Sequence, residues 1–250
     1  MVPSFTELEW GILPLLEEWA EVATFDMPGT GSEPLPAGLR MDDQARGIDH
    51  DTLVAWRDAG AKRAMAEIEH RGWETVVLVA DAHGAPTAVR VAERWRGTIL
   101  GLALGHAALS RATEGDRPPM SGKVWAAFGQ LARQGREEFV RYGLAQMTRG
   151  GIDEELADEM IERFRDMDLV AAMVAAIGRE PEPIGESLKA LNLPMLLAKH
   201  EGCLAHTDEG FEDIVAAFPE AHSVICPETC SSSSTFAAAL KRFCDAEVDC

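Results

Sequence analysis

Three histidines stand where short apolar runs of the chain come to an end. His83 lies just past Thr75 to Asp81, His106 just past Thr98 to Leu104, and His200 directly after Met195 to Lys199. Imidazoles titrate near neutral pH, so a cluster of them can take a proton from a carbon acid or give one to a leaving group. A neighbouring carboxylate fixes which ring nitrogen carries the hydrogen, and Asp81 and Glu201 stand close enough in sequence to do that. His83, His106, Asp81 and Glu201 are therefore the candidate catalytic side chains, with His83 and His200 also candidates for touching substrate. Cys203 is a further candidate for lining the site, as a small apolar side chain, because nothing basic adjoins it to make a thiolate. Farther along, Trp125, Phe128 and Tyr142, with Phe139, Met120 and Met147, have the make-up of an apolar pocket wall or of ordinary packing. Asp26 suits a structural task, bonding to the backbone of the Pro-Gly turn that follows it.

Metal chemistry finds little support. The 5 cysteines include no Cys-x-x-Cys pair, and the Cys226 to Cys230 gap has no partner pair at zinc-ligand spacing. Reduced thiols, no metal and no cofactor are expected, as in a cytoplasmic protein.

The elements that must position these residues alternate in type. Runs at Glu21 to Asp26, Thr75 to Asp81, Thr98 to Leu104, Met195 to Lys199 and Ser223 to Cys226 are short and nearly all apolar, as parallel strands buried on both faces must be. Amphipathic helical patterns fall between and after them, at Asp51 to His70, Thr87 to Trp95, Asp208 to Phe218 and Ser233 to Cys244. That alternation predicts an open, mostly parallel α/β sheet covered by helices. From about Ser121 to Gly178 no strand-like run occurs, and several helical segments broken by glycines take its place. We expect a core formed by residues 1–110 and 185–250, with a helical cap at 111–184 and a strap through Pro181 and Pro183 returning to the core.

Composition narrows the functional classes. Across 250 residues, 23 Lys and Arg face 42 Asp and Glu, for a formal net charge of -19. A sequence-blind grip on nucleic acid or on an anionic membrane surface would have to overcome that repulsion. The apolar runs fall far below the roughly 18 to 20 residues of a membrane helix. A small-molecule partner is expected, with neither nucleic acid nor membrane, and a homodimer is compatible with this reading.

At Phe25-Asp-Met-Pro-Gly-Thr-Gly-Ser32 the chain resembles the turn after an early core strand of the α/β-hydrolase-fold family. In this resemblance Thr30 is a candidate substrate contact. Val76 to Ala92, a strand, a Gly-bearing turn and a helix, looks like the family's nucleophile elbow, and its five positions are Ala80, Asp81, Ala82, His83 and Gly84. Ala82 thus occupies the nucleophile position with a methyl group, which has no lone pair to attack a carbonyl. Leu193 to Cys203 resembles the strand that delivers the catalytic acid, but Cys203 stands near the acid position. Phe218 to Cys226 resembles the last strand, yet no histidine follows His222, which begins that strand. The chain also leaves no room before the helix at Glu7 to Trp19 for the family's preceding strand and oxyanion loop, so a shortened N-terminus is expected. The resemblance implies a fold able to host acid/base chemistry on a small, apolar carbonyl or ester-like metabolite. It implies an esterase-like or lactonase-like hydrolase if Ala82 is an introduced replacement of serine. The alternative is an inactive small-molecule-binding or scaffold protein of the same fold.

Overall fold

The computed structural model describes residues 2–4, 11–29, 33–36, 39, 50–81, 84–106, 135, 137, 141, 158, 184–202, 208–228 and 233–247. A two-stranded parallel pair, β1 (Val2–Ser4) and β2 (Thr24–Asp26), lies beside a four-stranded parallel sheet. That sheet has the order β3 (Thr75–Asp81), β4 (Thr98–Gly105), β5 (Met195–His200) and β6 (His222–Cys226). The helices are α1 (Leu13–Glu17), α2 (His50–His70), α3 (Ala85–Arg94), α4 (Gly185–Leu191), α5 (Asp208–Ala217) and α6 (Ser234–Glu247).

Strand alternation divides the core into two layers. Leu78 and Ala80 of β3, Leu102 and Leu104 of β4, and Met195 and Leu197 of β5 pack with α2, α3, α4 and α5. Val79, Ala103, Leu196 and Ala198, the residues between them, pack with α1 and α6 on the opposite face. Successive side chains of a strand point to opposite faces, so a sheet covered on both sides needs apolar residues at every position. The expected open α/β sheet is therefore a three-layer arrangement, helices over both faces.

The second face continues the reading toward the strand ends. By the same alternation Asp81, His200 and Cys226 fall on the α1/α6 face, while Lys199 falls on the α5 face. Lys199 is indeed buried against α5, ion-paired to Asp208 and 6.0 Å from the Phe211 ring centroid.

Several bounds differ from the sequence reading. The chain's second residue already lies in a strand: β1 pairs in parallel with β2, against the expectation of no strand before the first helix. Three residues carry too little pattern to announce a strand, and only the pairing reveals it. β2 covers Thr24–Asp26 rather than the run from Glu21, and α4 begins at Gly185, where the strap was expected to end. Asn192 then closes α4 in the left-handed region at φ 49°. Most of the expected cap at 111–184 lies outside the described residues.

The turn after β2 shows why its glycine is needed. Gly29 has φ 84°, its N–H donates to the Glu33 carbonyl at 3.0 Å, and the Trp56 indole donates to the Pro28 carbonyl at 2.7 Å. Asp26 is buried beside this turn.

Candidate active site

Pairing between strands sets the positions of the candidate residues. Asp81 ends β3 opposite Gly105, Gly105 lies opposite Ala198, and His200 ends β5 opposite Cys226. One irregularity sets this phase. Val76 pairs with Ile99 but Val77 pairs with Gly101, so β4 carries one extra residue, Leu100. Such a bulge re-aims everything beyond it, and here it brings Asp81 level with Gly105, one residue before His106.

His106 continues the ladder by one bond, its N–H donating to the Ala198 carbonyl at 2.8 Å. It then leaves the strand direction with φ 45°, a left-handed conformation uncommon for a residue with a Cβ. In this position its ring lies between the ends of β3 and β5. Nδ1 is 2.7 Å from Asp81 Oδ1, and Nε2 is 2.6 Å from His200 Nδ1. The His200 backbone N–H also donates to His106 Nε2, at 3.1 Å. The two imidazoles meet edge to face, with centroids 4.7 Å apart and an interplanar angle of 68°. Asp81, His106 and His200 thus form one hydrogen-bonded chain across three strand ends.

The charges around His106 oppose one another. Its side chain is only 7% exposed, and burial works against the imidazolium. The Asp81 carboxylate, by charge and by hydrogen bond, and the Cys226 thiol outweigh burial, so His106 titrates above an ordinary histidine despite the opposing Lys199 charge. The hydrogen bond from Nδ1 to a carboxylate is the arrangement that orients a working imidazole. His106 can therefore hold a proton at pH values where an ordinary histidine has lost it.

The sequence-derived candidates separate under this geometry. Asp81, His106 and His200 come together. Glu201 does not supply the orienting carboxylate: it is exposed on the turn after β5, its N–H donates to the Cys226 carbonyl at 2.8 Å, and Asp81 holds the His106 ring. His222 begins β6, at the opposite end from the site, with its ring edge-on to Phe243 at 5.8 Å. Ala82, His83, Thr30, Trp125, Phe128, Tyr142 and Cys203 lie outside the described residues. On either side of the first two, β3 ends at Asp81 and α3 opens at Ala85 with a proline in its first turn.

Two residues near the site were not singled out as functional. Lys199 acts on His106 through its charge, and the signal for it was a lysine inside an otherwise apolar strand. Cys226 is a fully buried cysteine in no disulfide, whose position is legible only from its pairing with His200. A cavity of about 430 Å³ lies elsewhere, lined among others by Leu16, Trp19, Trp73, Val77, Leu240 and Cys244, and none of the site residues borders it. Among the described residues no cluster of His, Cys, Asp and Glu is arranged to hold a metal ion.

No family model and no curated protein matches the sequence. Solved structures do match in fold. A hydrolase from Oleispira antarctica superposes with TM-score 0.71 at 13% identity, covering 98% of this chain and 89% of its own. A bromoperoxidase from Bacillus anthracis gives 0.71 at 14% identity, covering 98% and 90%. An enol-lactonase from Burkholderia xenovorans LB400 gives 0.68 at 17% identity, again covering 98% and 90%. At such identities the likeness is one of architecture, and it agrees with the parallel sheet and the two helix layers: the chain has the α/β-hydrolase fold.

Proposed function

We propose that the protein is an enzyme that moves protons on a small, apolar carbonyl or ester-like metabolite, using the Asp81–His106–His200 chain instead of a serine nucleophile. The observation that carries this reading is the hydrogen-bonded run from carboxylate to imidazole to imidazole at the carboxyl ends of β3, β4 and β5. In open α/β sheets those ends are where ligands bind. With alanine at position 82 an acyl-enzyme cannot form there, and proton abstraction and return is chemistry that a carboxylate and two imidazoles can do without one.

Each residue has a task in this scheme. Asp81 accepts the Nδ1 hydrogen of His106, which fixes the ring and supports positive charge on it. His106 accepts at Nε2, and His200 shares that proton across 2.6 Å. Burial keeps water from competing for these bonds and strengthens the carboxylate's hold on the ring. The neighbouring fold includes hydrolases, and hydrolysis is the reading that applies if Ala82 replaces a serine.

The test compares the protein as written with Ala82→Ser and with His106→Asn. p-Nitrophenyl and thioester substrates report acyl transfer, and hydrogen–deuterium exchange into small ketones reports proton abstraction. Exchange by the first two proteins, lost in His106→Asn, is expected. Ester turnover confined to Ala82→Ser, without exchange in any form, would replace this reading with a silenced hydrolase. Inertness of all three in both assays would leave a binding protein.

A further inference from the structure

The cavity of about 430 Å³ has no task in the strand-end chemistry. It lies at the start of β3, where Thr75, Val76 and Val77 border it, and so at the opposite end of that strand from Asp81. Its origin is a mismatch of lengths. Helix α1 has 5 residues, about 7.5 Å of helix, whereas β3 has 7, about 23 Å of strand. The helix is too short to cover the strand, and the space left over is walled by the segment after α1, by Trp73 ahead of β3 and by α6. Leu100, the extra residue of β4, forms part of the wall as well, so the bulge that sets the phase of the strand ends also shapes this cavity.

The lining states what such a space would take. It is apolar except for Glu21, Thr75, Lys241 and Asp245, and all four of these are exposed, so the polar groups stand at the rim. Two tryptophans give the walls their character. Lys241 Nζ stands over the Trp19 ring, 5.5 Å from its centroid, and the Arg71 guanidinium stands over the Trp73 ring at 5.1 Å. Both cations already hold carboxylates. Lys241 donates to the two Asp245 oxygens at 3.2 and 3.1 Å, and Arg71 donates to Glu67 at 2.8 Å with Glu21 4.0 Å away. An anion entering the cavity would have to take Lys241 from Asp245 and would meet Glu21 as well. A cation would find Asp245 already paired and would give up water for apolar walls. An uncharged molecule leaves every pair intact. A flat aromatic one suits two indoles, because rings gain by offset stacking or by meeting edge to face. The volume falls within the roughly 300 to 1,000 Å³ of small-molecule sites. We propose that this cavity is a second binding site, separate from the strand-end chain, for an uncharged planar aromatic molecule.

The test titrates three naphthalenes of nearly one shape and different charge, 2-naphthol, 2-naphthoate and 2-naphthylmethylammonium, near neutral pH. Carbon-13 NMR of the methyl groups of Val77, Val79, Leu100 and Leu240 reports occupancy. 2-Naphthol should shift these methyls saturably and bind at least about fivefold more tightly than either ion, the scale of one poorly matched charge. No saturable shift, shifts confined to methyls elsewhere, or tighter binding of either ion would overturn the proposal. Asp245→Asn then tests the charge argument at an exposed position whose change should leave the fold intact. Lys241 loses its carboxylate, so 2-naphthoate should gain at least about threefold while 2-naphthol stays within about twofold. An unchanged 2-naphthoate affinity would overturn the choice of an uncharged ligand. Shifts of the same methyls with protein concentration alone would give the cavity to a second copy of the chain and overturn the small-molecule site. The acid/base reading survives each of these failures, since its residues do not border the cavity.

Discussion

Asp81 sets both the orientation and the proton affinity of His106, and the two effects separate in a pH profile. In Asp81→Asn the ring loses the charge that raises its pKa, so the acid limb of kcat/KM should move to lower pH. The plateau should fall about 100-fold or more, the scale of a lost acid/base partner. A limb that stays in place would mean that another group sets it. Lys199 makes the opposite test. Its charge lowers the proton affinity of His106, so Lys199→Met should move the limb to higher pH. Asp208, the partner left behind, is 80% exposed and stays hydrated, so stability in urea should change by less than about 1 kcal/mol. The raised pKa also has a sign for folding. The fold gains from a charged His106 below the unfolded histidine value, and that gain is lost as pH rises through the folded value. The left-handed backbone at His106 is the strained point that this network holds in place.

Helices α2 and α3 are joined by charge as well as by packing. Asp58 accepts from Arg90 at 2.7 Å and from Arg94 at 2.9 Å. Burial works against its charge, but the bonds from Arg94 and Arg90 outweigh burial and hold the carboxyl below its ordinary range. A depressed carboxylate stabilises the fold above its unfolded pKa, and that support disappears as pH falls through the folded value. Asp58→Asn should therefore cost about 0.5 to 1.5 kcal/mol in neutral urea titrations, and the difference should close in acid. Strand β4 offers a steric test. A Cβ on Gly101 would stand 2.7 Å from Phe243 Cζ and 3.2 Å from the Pro194 carbonyl oxygen. The ring edge of α6 uses the space left by the missing side chain. Gly101→Ala should destabilise by about 1 to 3 kcal/mol, read in the same titration.

At the scale of the molecule, the charge of -19 makes the surface repel itself and other polyanions. Screening by salt should relieve that repulsion, so the thermal midpoint should rise between about 0.01 and 0.15 M sodium chloride. A midpoint that falls would mean that local ion pairs, such as Arg63 with Glu33 and Glu67, outweigh the net charge. No described helix is long and apolar enough to cross a membrane. The likeness to solved hydrolase-fold structures runs over nearly the whole chain, so the architecture is shared.

How much was legible is clearest in particular elements. Thr75–Asp81 was bounded correctly from its apolar run, because a strand buried on both faces has no polar position to blur it. The amphipathic helix ending at His70 was equally plain. β1 was not, since three residues hold no period. That histidines stand at strand ends follows from the sequence, as does the presence of a carboxylate nearby. The choice of Asp81 over Glu201 required the tertiary structure. It depends on the extra residue in β4, on the left-handed turn at His106 and on the pairing of β5 with β6, none of which has a local pattern. The amino-acid sequence by itself determined the layered α/β class, the apolar strands and the acidic balance of charge, because these are properties of composition and short-range period. Only the tertiary structure decided which imidazoles touch and which carboxylate holds them, because those depend on the register between segments up to about a hundred residues apart.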